Sequence, residues 1–168
     1  MISDYIKGRV YVFIDVENLF YAQRDLGWKI SYEKLTSYFK KECGEVRCFA
    51  YSGVDEYNTR QRKFLDMLEI NGYIARTKAV KRIRKEDGRY KWKSNLDLEL
   101  AFEMVDLKEK YDTLILMSGD SDFAIALDKI KKSGKMIIVM STKGRVSREL
   151  LERAKYIDSK KLKDEISQ

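Results

Sequence analysis

The sequence predicts an α/β domain of three layers, an α/β/α arrangement with helices on both faces of a central, mostly parallel sheet. Two observations carry this. Short runs rich in β-branched and aromatic residues alternate along the chain with longer amphipathic runs, without a linker or repeat between them. That alternation is the signature of right-handed βαβ units. The strand-like runs are also apolar almost throughout, as strands buried on both faces must be. At 168 residues the chain is long enough for a single domain with a real core, taken as residues 1–168 with the core over 9–158.

In order, RVYVFID (9–15) reads as the first strand, ending in an acid, and a helix follows from Val16. SYEKLTSYFKKEC (31–43) is a second helix, with Ser31 as its N-cap and Leu35, Tyr38 and Phe39 on one face. VRCFAYSG (46–53) is a buried strand. Residues 57–70 repeat Phe64, Leu65 and Leu68 at helical spacing until Gly72 stops them. YIARTKAV (73–80) is a third strand, and residues 80–93 are read as a basic β-hairpin. SNLDLELAFEMVDL (94–107) is helical, DTLILMS (112–118) a strand, DFAIALDKIKKSG (122–134) a helix stopped by Gly134, KMIIVMS (135–141) a strand and VSRELLERA (146–154) a helix. YID (156–158) closes the sheet as an edge strand. The tail, 159–168, reads as a solvated helix or a frayed end, and Tyr5, Tyr11, Phe20 and Trp28 read as packing residues.

Composition excludes several chemistries. The chain has no histidine, which removes Ser-His-Asp triads, histidine general bases and zinc-finger sites; Cys43 and Cys48 are its only cysteines and read as reduced thiols. No apolar run is long enough to span a bilayer, and the N-terminus lacks the apolar centre of a secretory signal, so a cytoplasmic protein without a membrane partner is expected. The donors that remain, carboxylate, amide and hydroxyl, suit hard divalent cations such as Mg²⁺ or Mn²⁺. The net charge of +7 is concentrated: residues 78–93 hold eight lysines and arginines against Glu86 and Asp87. A localised basic segment of this kind is what a polyanionic partner selects, because phosphate neutralisation releases condensed counterions.

In parallel sheets, function collects where strands end at the carboxyl rim. The first strand delivers Asp15 and, one turn later, Asn18. LILMSGDSDF delivers Asp120 and Asp122, and the helix after the basic segment begins near Asp97. Four carboxylates on one rim raise one another's pKa, and a divalent cation relieves the repulsion. Ser118 and Gly119 are small enough for the tight turn that presents both acids. Asp120 or Ser121 also suits the N-cap of the helix near Phe123, a purely structural reading of the same motif.

VFIDVENLF, KSNLDLELAFEM and LMSGDSDFAIALDKIKKSGKMIIV, in this order, resemble the signature blocks of the NYN domain family, bacterial LabA-like relatives of the PIN nuclease superfamily. The resemblance runs from about Arg9 to Asp158. It implies a PIN-like, Rossmann-like α/β/α domain with an acidic Mg²⁺ or Mn²⁺ site for RNA cleavage, leaving 5′-phosphate and 3′-hydroxyl ends. Carried over, Asp15, Asp97, Asp120 and Asp122 are the metal acids, and Asn18 orients a phosphate or a metal-bound water. Relatives carry an aspartate six residues after the middle acid, where this chain has Glu103; six residues is about 240° around a helix, so Glu103 joins the site only if Asp97 precedes the regular helix. Glu103 and Ser118 are additional candidates.

Asp87-Gly88 signals a two-residue type I′ turn, which would pair Arg84 with Lys91, Ile83 with Trp92 and Arg82 with Lys93. One hairpin face would then carry Arg82, Arg84, Arg89, Lys91 and Lys93 to track phosphates, and the other Ile83, Tyr90 and Trp92 to stack on bases or pack on the domain. Lys143, Gly144 and Arg145 form a polar loop on the same rim, within reach of phosphate. Single-stranded or structured RNA is the expected partner, and a homodimer is one option for assembly. Two alternatives stay open: an inactive RNA-binding or scaffold module with the same fold, and a Toprim-like metal-dependent domain acting on DNA. Toprim would be expected to carry a glutamate where this chain has Asp15. A dinucleotide enzyme is disfavoured, since no G-x-G-x-x-G follows the first strand.

Overall fold

The computed structural model describes residues 1–168 apart from 56, 85–87, 89 and 94, and gives the backbone alone for 82, 83 and 90–93. β1 (Val10–Asp15) runs directly into α1 (Val16–Leu26), because the Asp15 carboxylate accepts from the Asn18 amide and caps the helix it precedes. α2 (Tyr32–Cys43) is capped by Ser31, as its spacing predicts. β2 (Val46–Val54), α3 (Thr59–Ile70) and β3 (Tyr73–Ala79) follow, then the strands β4 (Lys81–Arg84) and β5 (Tyr90–Lys93). α4 (Asp97–Asp106), β6 (Thr113–Met117), a 3-10 turn at Ser121–Phe123, α5 (Ala124–Lys132), β7 (Met136–Ser141), α6 (Arg148–Leu151), β8 (Lys155–Asp158) and α7 (Lys163–Ile166) complete the chain.

The main sheet has six strands in the order β3-β2-β1-β6-β7-β8, every neighbouring pair parallel. From β1 the chain builds outward to β2 and β3; β6 then returns to the other side of β1 and building proceeds to β7 and β8. The loops after β1 and β6 therefore diverge, which opens a crevice at this switch point.

Two apolar layers hold the sheet. On one face Val12, Ile14, Ile115 and Ile138 pack with Leu19, Leu35, Phe39 and Leu68 from α1, α2 and α3. On the other, Phe13, Phe49, Leu114, Leu116 and Val139 pack with Leu100, Met104, Leu127 and Leu150 from α4, α5 and α6. Each large side chain buried this way contributes roughly 1.5–3 kcal/mol. Exposed ion pairs such as Arg148 with Glu152 contribute about 0–1 kcal/mol each, so the fold rests on the layers. Cys43 and Cys48 are free and buried, and burial pushes both thiols up to about 12. No helix among the described residues is long and apolar enough to cross a membrane.

Three expectations are corrected. The tail is helical and largely exposed but it is not frayed, because one side is docked: Ile166 is fully buried in the first layer, the Ser31 amide donates to its carbonyl at 2.8 Å, and Ser167 bridges to Ile30. Leu162 and Ile166, four residues apart, supply the apolar contact that the surrounding charges conceal in the sequence. The β4–β5 ribbon is antiparallel but paired one residue off, with Arg84 opposite Tyr90, Ile83 opposite Lys91 and Arg82 opposite Trp92. A shift of one residue exchanges the faces, so the separation into a basic and an aromatic face is withdrawn. The ribbon forms a two-stranded sheet of its own, separate from the main sheet. The predicted Asp87 turn position and Arg89 lie outside the described residues. Finally, Tyr11 is buried and Trp28 packs on the core, but Tyr5 and Phe20 are 39% and 55% exposed. On α1 the buried stripe is already filled by Val16, Leu19 and Ala22, which turns Phe20 outward.

Candidate metal centre

The acids converge at the switch point. Asp120 lies three residues past the end of β6, after Ser118 and Gly119, and the 3-10 turn after it brings Asp122 back toward the same spot: the Asp120 carboxylate accepts from the Asp122 amide at 2.9 Å. Asp97 is the first residue of α4, its amide held at 2.8 Å by the Asn95 side chain. Among the described residues, Asp97, Asp120 and Asp122 each bring a carboxylate oxygen within 4.8 Å of the others. GDSD serves as a cap and also contributes two acids to the carboxylate cluster, and the two roles are compatible because one carboxylate has lone pairs enough for a cap and an ion.

Asp15 sits beside this trio rather than within it. Its two oxygens accept from the Asn18 amide at 3.0 Å and the Ser118 hydroxyl at 3.1 Å. Ser118 in turn accepts from the Asp120 amide at 3.3 Å, and the Asn18 side chain accepts from the Gly119 amide at 3.3 Å. Asn18 and Ser118 thus tie the β1 end to the turn that carries the acids. A cavity of about 60 Å³, lined by Asp15, Glu17, Tyr51, Asn95 and Asp97, leaves room for water next to them.

Gly119 is required by a close approach. A Cβ there would lie 1.7 Å from the Arg145 carbonyl oxygen. The loop after β7 lies directly on this turn and is fastened by the Ser147 amide donating to the Gly119 carbonyl at 3.0 Å. That loop reaches the predicted rim, but its Arg145 guanidinium is paired with Asp25 of α1.

Electrostatics mark the site. Burial pushes Asp15 up to about 6, against the hydrogen bonds from Asn18 and Ser118, and the Asp97 charge adds to the rise. Asp97 is likewise raised, by burial first and then by the Asp120 carboxylate. Repelling carboxylates with two raised pKa values are a donor set that a divalent cation fits, and oxygen-only ligands with space for water suit a hard ion. Glu103 is not part of it. Because Asp97 begins the regular helix, Glu103 points elsewhere: Arg76 donates to it in a fork at 2.6 and 2.9 Å, and the Tyr51 hydroxyl at 2.6 Å. Arg76 holds the Glu103 carboxyl below its usual range. One turn earlier on α4, Lys78 of β3 pairs with Glu99 and donates to the Asn95 carbonyl at 3.1 Å. The β3 edge thereby anchors the helix that presents Asp97.

Sequence reasoning missed Glu17, Tyr51 and Asn95. Glu17 lies between Asp15 and Asn18 in VFIDVENLF and Asn95 two residues before Asp97, so both had a signal. Tyr51 had none beyond its place late in β2. Of the hairpin candidates, Arg84 is exposed; the side chains of Arg82, Tyr90, Lys91, Trp92 and Lys93 lie outside the described residues.

A six-stranded parallel α/β domain with a carboxylate cluster at its switch point has the architecture of a PIN-like domain. The NYN domain family model matches residues 9–160, and the chain belongs to that family. It is 36% identical over 156 residues to the low amplitude and bright protein LabA of Synechococcus elongatus, covering 90% of this chain and 83% of that one. A crystal structure of a Vibrio parahaemolyticus protein of unknown function superposes over the full length of both chains with a TM-score of 0.77 at 23% identity, a likeness of fold.

Proposed function

We propose that this protein is a metal-dependent ribonuclease that hydrolyses RNA phosphodiester bonds with Mg²⁺ or Mn²⁺. The observation that carries the reading is the meeting of Asp97, Asp120 and Asp122 beside the half-buried Asp15. A bound ion there lowers the pKa of water and offsets charge on a phosphoryl oxygen during in-line attack. Asp97, Asp120 and Asp122 hold the ion. Asp15 walls the cavity and, through Ser118 and Asn18, keeps the acid-bearing turn in place. With no histidine in the chain, no imidazole pair runs 2′-hydroxyl chemistry in its stead. The basic residues Lys81, Arg82, Arg84, Arg89, Lys91 and Lys93, with Tyr90 and Trp92, draw and hold the polyanion ahead of Asp97.

The test is Mn²⁺-titrated cleavage of RNA and DNA strands of one sequence by wild type and Asp120→Asn. Wild type should cut RNA in preference, and the variant should lose on the order of a hundredfold or more in rate while still binding. RNA bound but never cut by wild type, across metals and substrates, would establish the binding-module alternative.

A further inference from the structure

The geometry points to a platform for unpaired nucleobases on α1, made by Phe20, Tyr21 and Arg24 at the lip of the acid site. The two rings meet edge to face with centroids 5.8 Å apart, and both stay in solvent, Phe20 55% and Tyr21 42% exposed. The Arg24 guanidinium carbon lies 5.7 Å from the Phe20 centroid and 5.2 Å from that of Tyr21. One cation thus buttresses both rings and leaves aromatic surface open on the outside. Exposed large aromatics gathered in one place are the informative exception on a protein surface.

Position identifies the occupant. Phe20 lies three residues after Glu17, which lines the acid cavity, and Tyr21 three residues after Asn18, which holds the Gly119 amide. Three residues is one helical turn on the same side, a rise of about 4.5 Å. A strand whose phosphate lies at the acids therefore passes the rings within its next residues. Aromatic faces bind any unpaired base by stacking, and an arginine beside them serves both base and phosphate. Asp25, the acid on the neighbouring flank, is already neutralised by Arg145. A base-paired duplex keeps its base faces covered, so the platform selects single strands or splayed loops. This inference rests on the nuclease reading for its substrate class but makes a separate demand on α1.

The experiment uses the full chain carrying Asp120→Asn, so that strands are bound without being cut, and single-stranded RNA and DNA of one sequence labelled with 2-aminopurine. Stacking should quench the probe. Phe20→Ala with Tyr21→Ala should abolish the quench and weaken binding roughly tenfold or more, while Phe20→Trp with Tyr21→Phe retains both. All these positions are solvent-facing, and equal thermal midpoints verify the fold. A quench that survives the double alanine change overturns the platform, as does one absent from the Asp120→Asn protein with both strands. A double alanine variant that keeps the quench but shifts the oligomeric state in light scattering makes the patch a protein contact instead. Should the quench behave as expected while wild type never cuts with Mn²⁺, the platform stands and the nuclease reading falls.

Discussion

The acid rim and the basic ribbon carry opposite charge and opposite kinds of order. The rim is built on β1 and β6, central strands buried on both faces; there the Asp15 carboxylate accepts from the Asn18 amide and the Ser118 hydroxyl, the Asp120 carboxylate accepts from the Asp122 amide, and the Asp97 amide donates to the Asn95 side chain. The ribbon, β4 and β5, pairs only with itself. A site that must hold carboxylates a few ångströms apart needs the first kind of support, since repulsion would otherwise spread them. A segment that only draws a polyanion works through long-range charge and tolerates the second. The difference teaches where single changes should be felt.

The strongest break should come from Gly119→Ala. Its new methyl group meets the Arg145 carbonyl, so the loop after β7 must move; we expect a loss of about 3 kcal/mol, read as a fall of roughly 6–12 °C in thermal midpoint, together with weakened cleavage. An unchanged midpoint would mean that the loop is not fastened there. Next is the pH response of Asp15. With its pKa raised from 3.8 to about 6, the native state holds this proton more tightly than the unfolded chain. Its stabilising contribution is full below pH 4 and is lost as pH rises through 6, a change on the order of 3 kcal/mol. In EDTA, Asp15→Asn should therefore gain on wild type in thermal midpoint between pH 4 and pH 8, and Mn²⁺ should restore wild type at the higher pH. Parallel curves would refute the buried-acid account.

Arg76→Ala sharpens the comparison from the edge of the rim. It leaves Glu103 and Tyr51 without their cation and frees α4 to shift Asp97, and an exposed arginine of this kind is worth about 1 kcal/mol. Mn²⁺ affinity, followed by calorimetry, should fall severalfold, and Arg76→Lys should recover little because the fork is lost. The smallest effect per residue belongs to the ribbon: Arg84→Gln should leave the midpoint and metal affinity alone, weaken RNA binding slightly, and reduce the log–log salt slope by about one. A ribbon change that moved the midpoint as much as Gly119→Ala would erase the distinction between the two regions.

Much of this was legible. Asp15, Asp120 and the Ser31 cap stand where an apolar strand or a helix must begin or end, and such positions follow from local propensity. The ribbon register was not, because Asp-Gly indicates a turn without fixing how many residues it spans. The tail was not, because two apolar residues among lysines and acids carry a weak periodic signal.

By itself the sequence determined the order of strands and helices, the caps, the strand-end acids and the concentration of positive charge, all properties of neighbours along the chain. Only the tertiary structure decided that Asp15 stands beside the trio of Asp97, Asp120 and Asp122 while Glu103 turns to Arg76, that α7 docks beside α2, and that Phe20 and Tyr21 face water. Those outcomes depend on strand order and on which helix face is already filled, and neither is a local property of the chain.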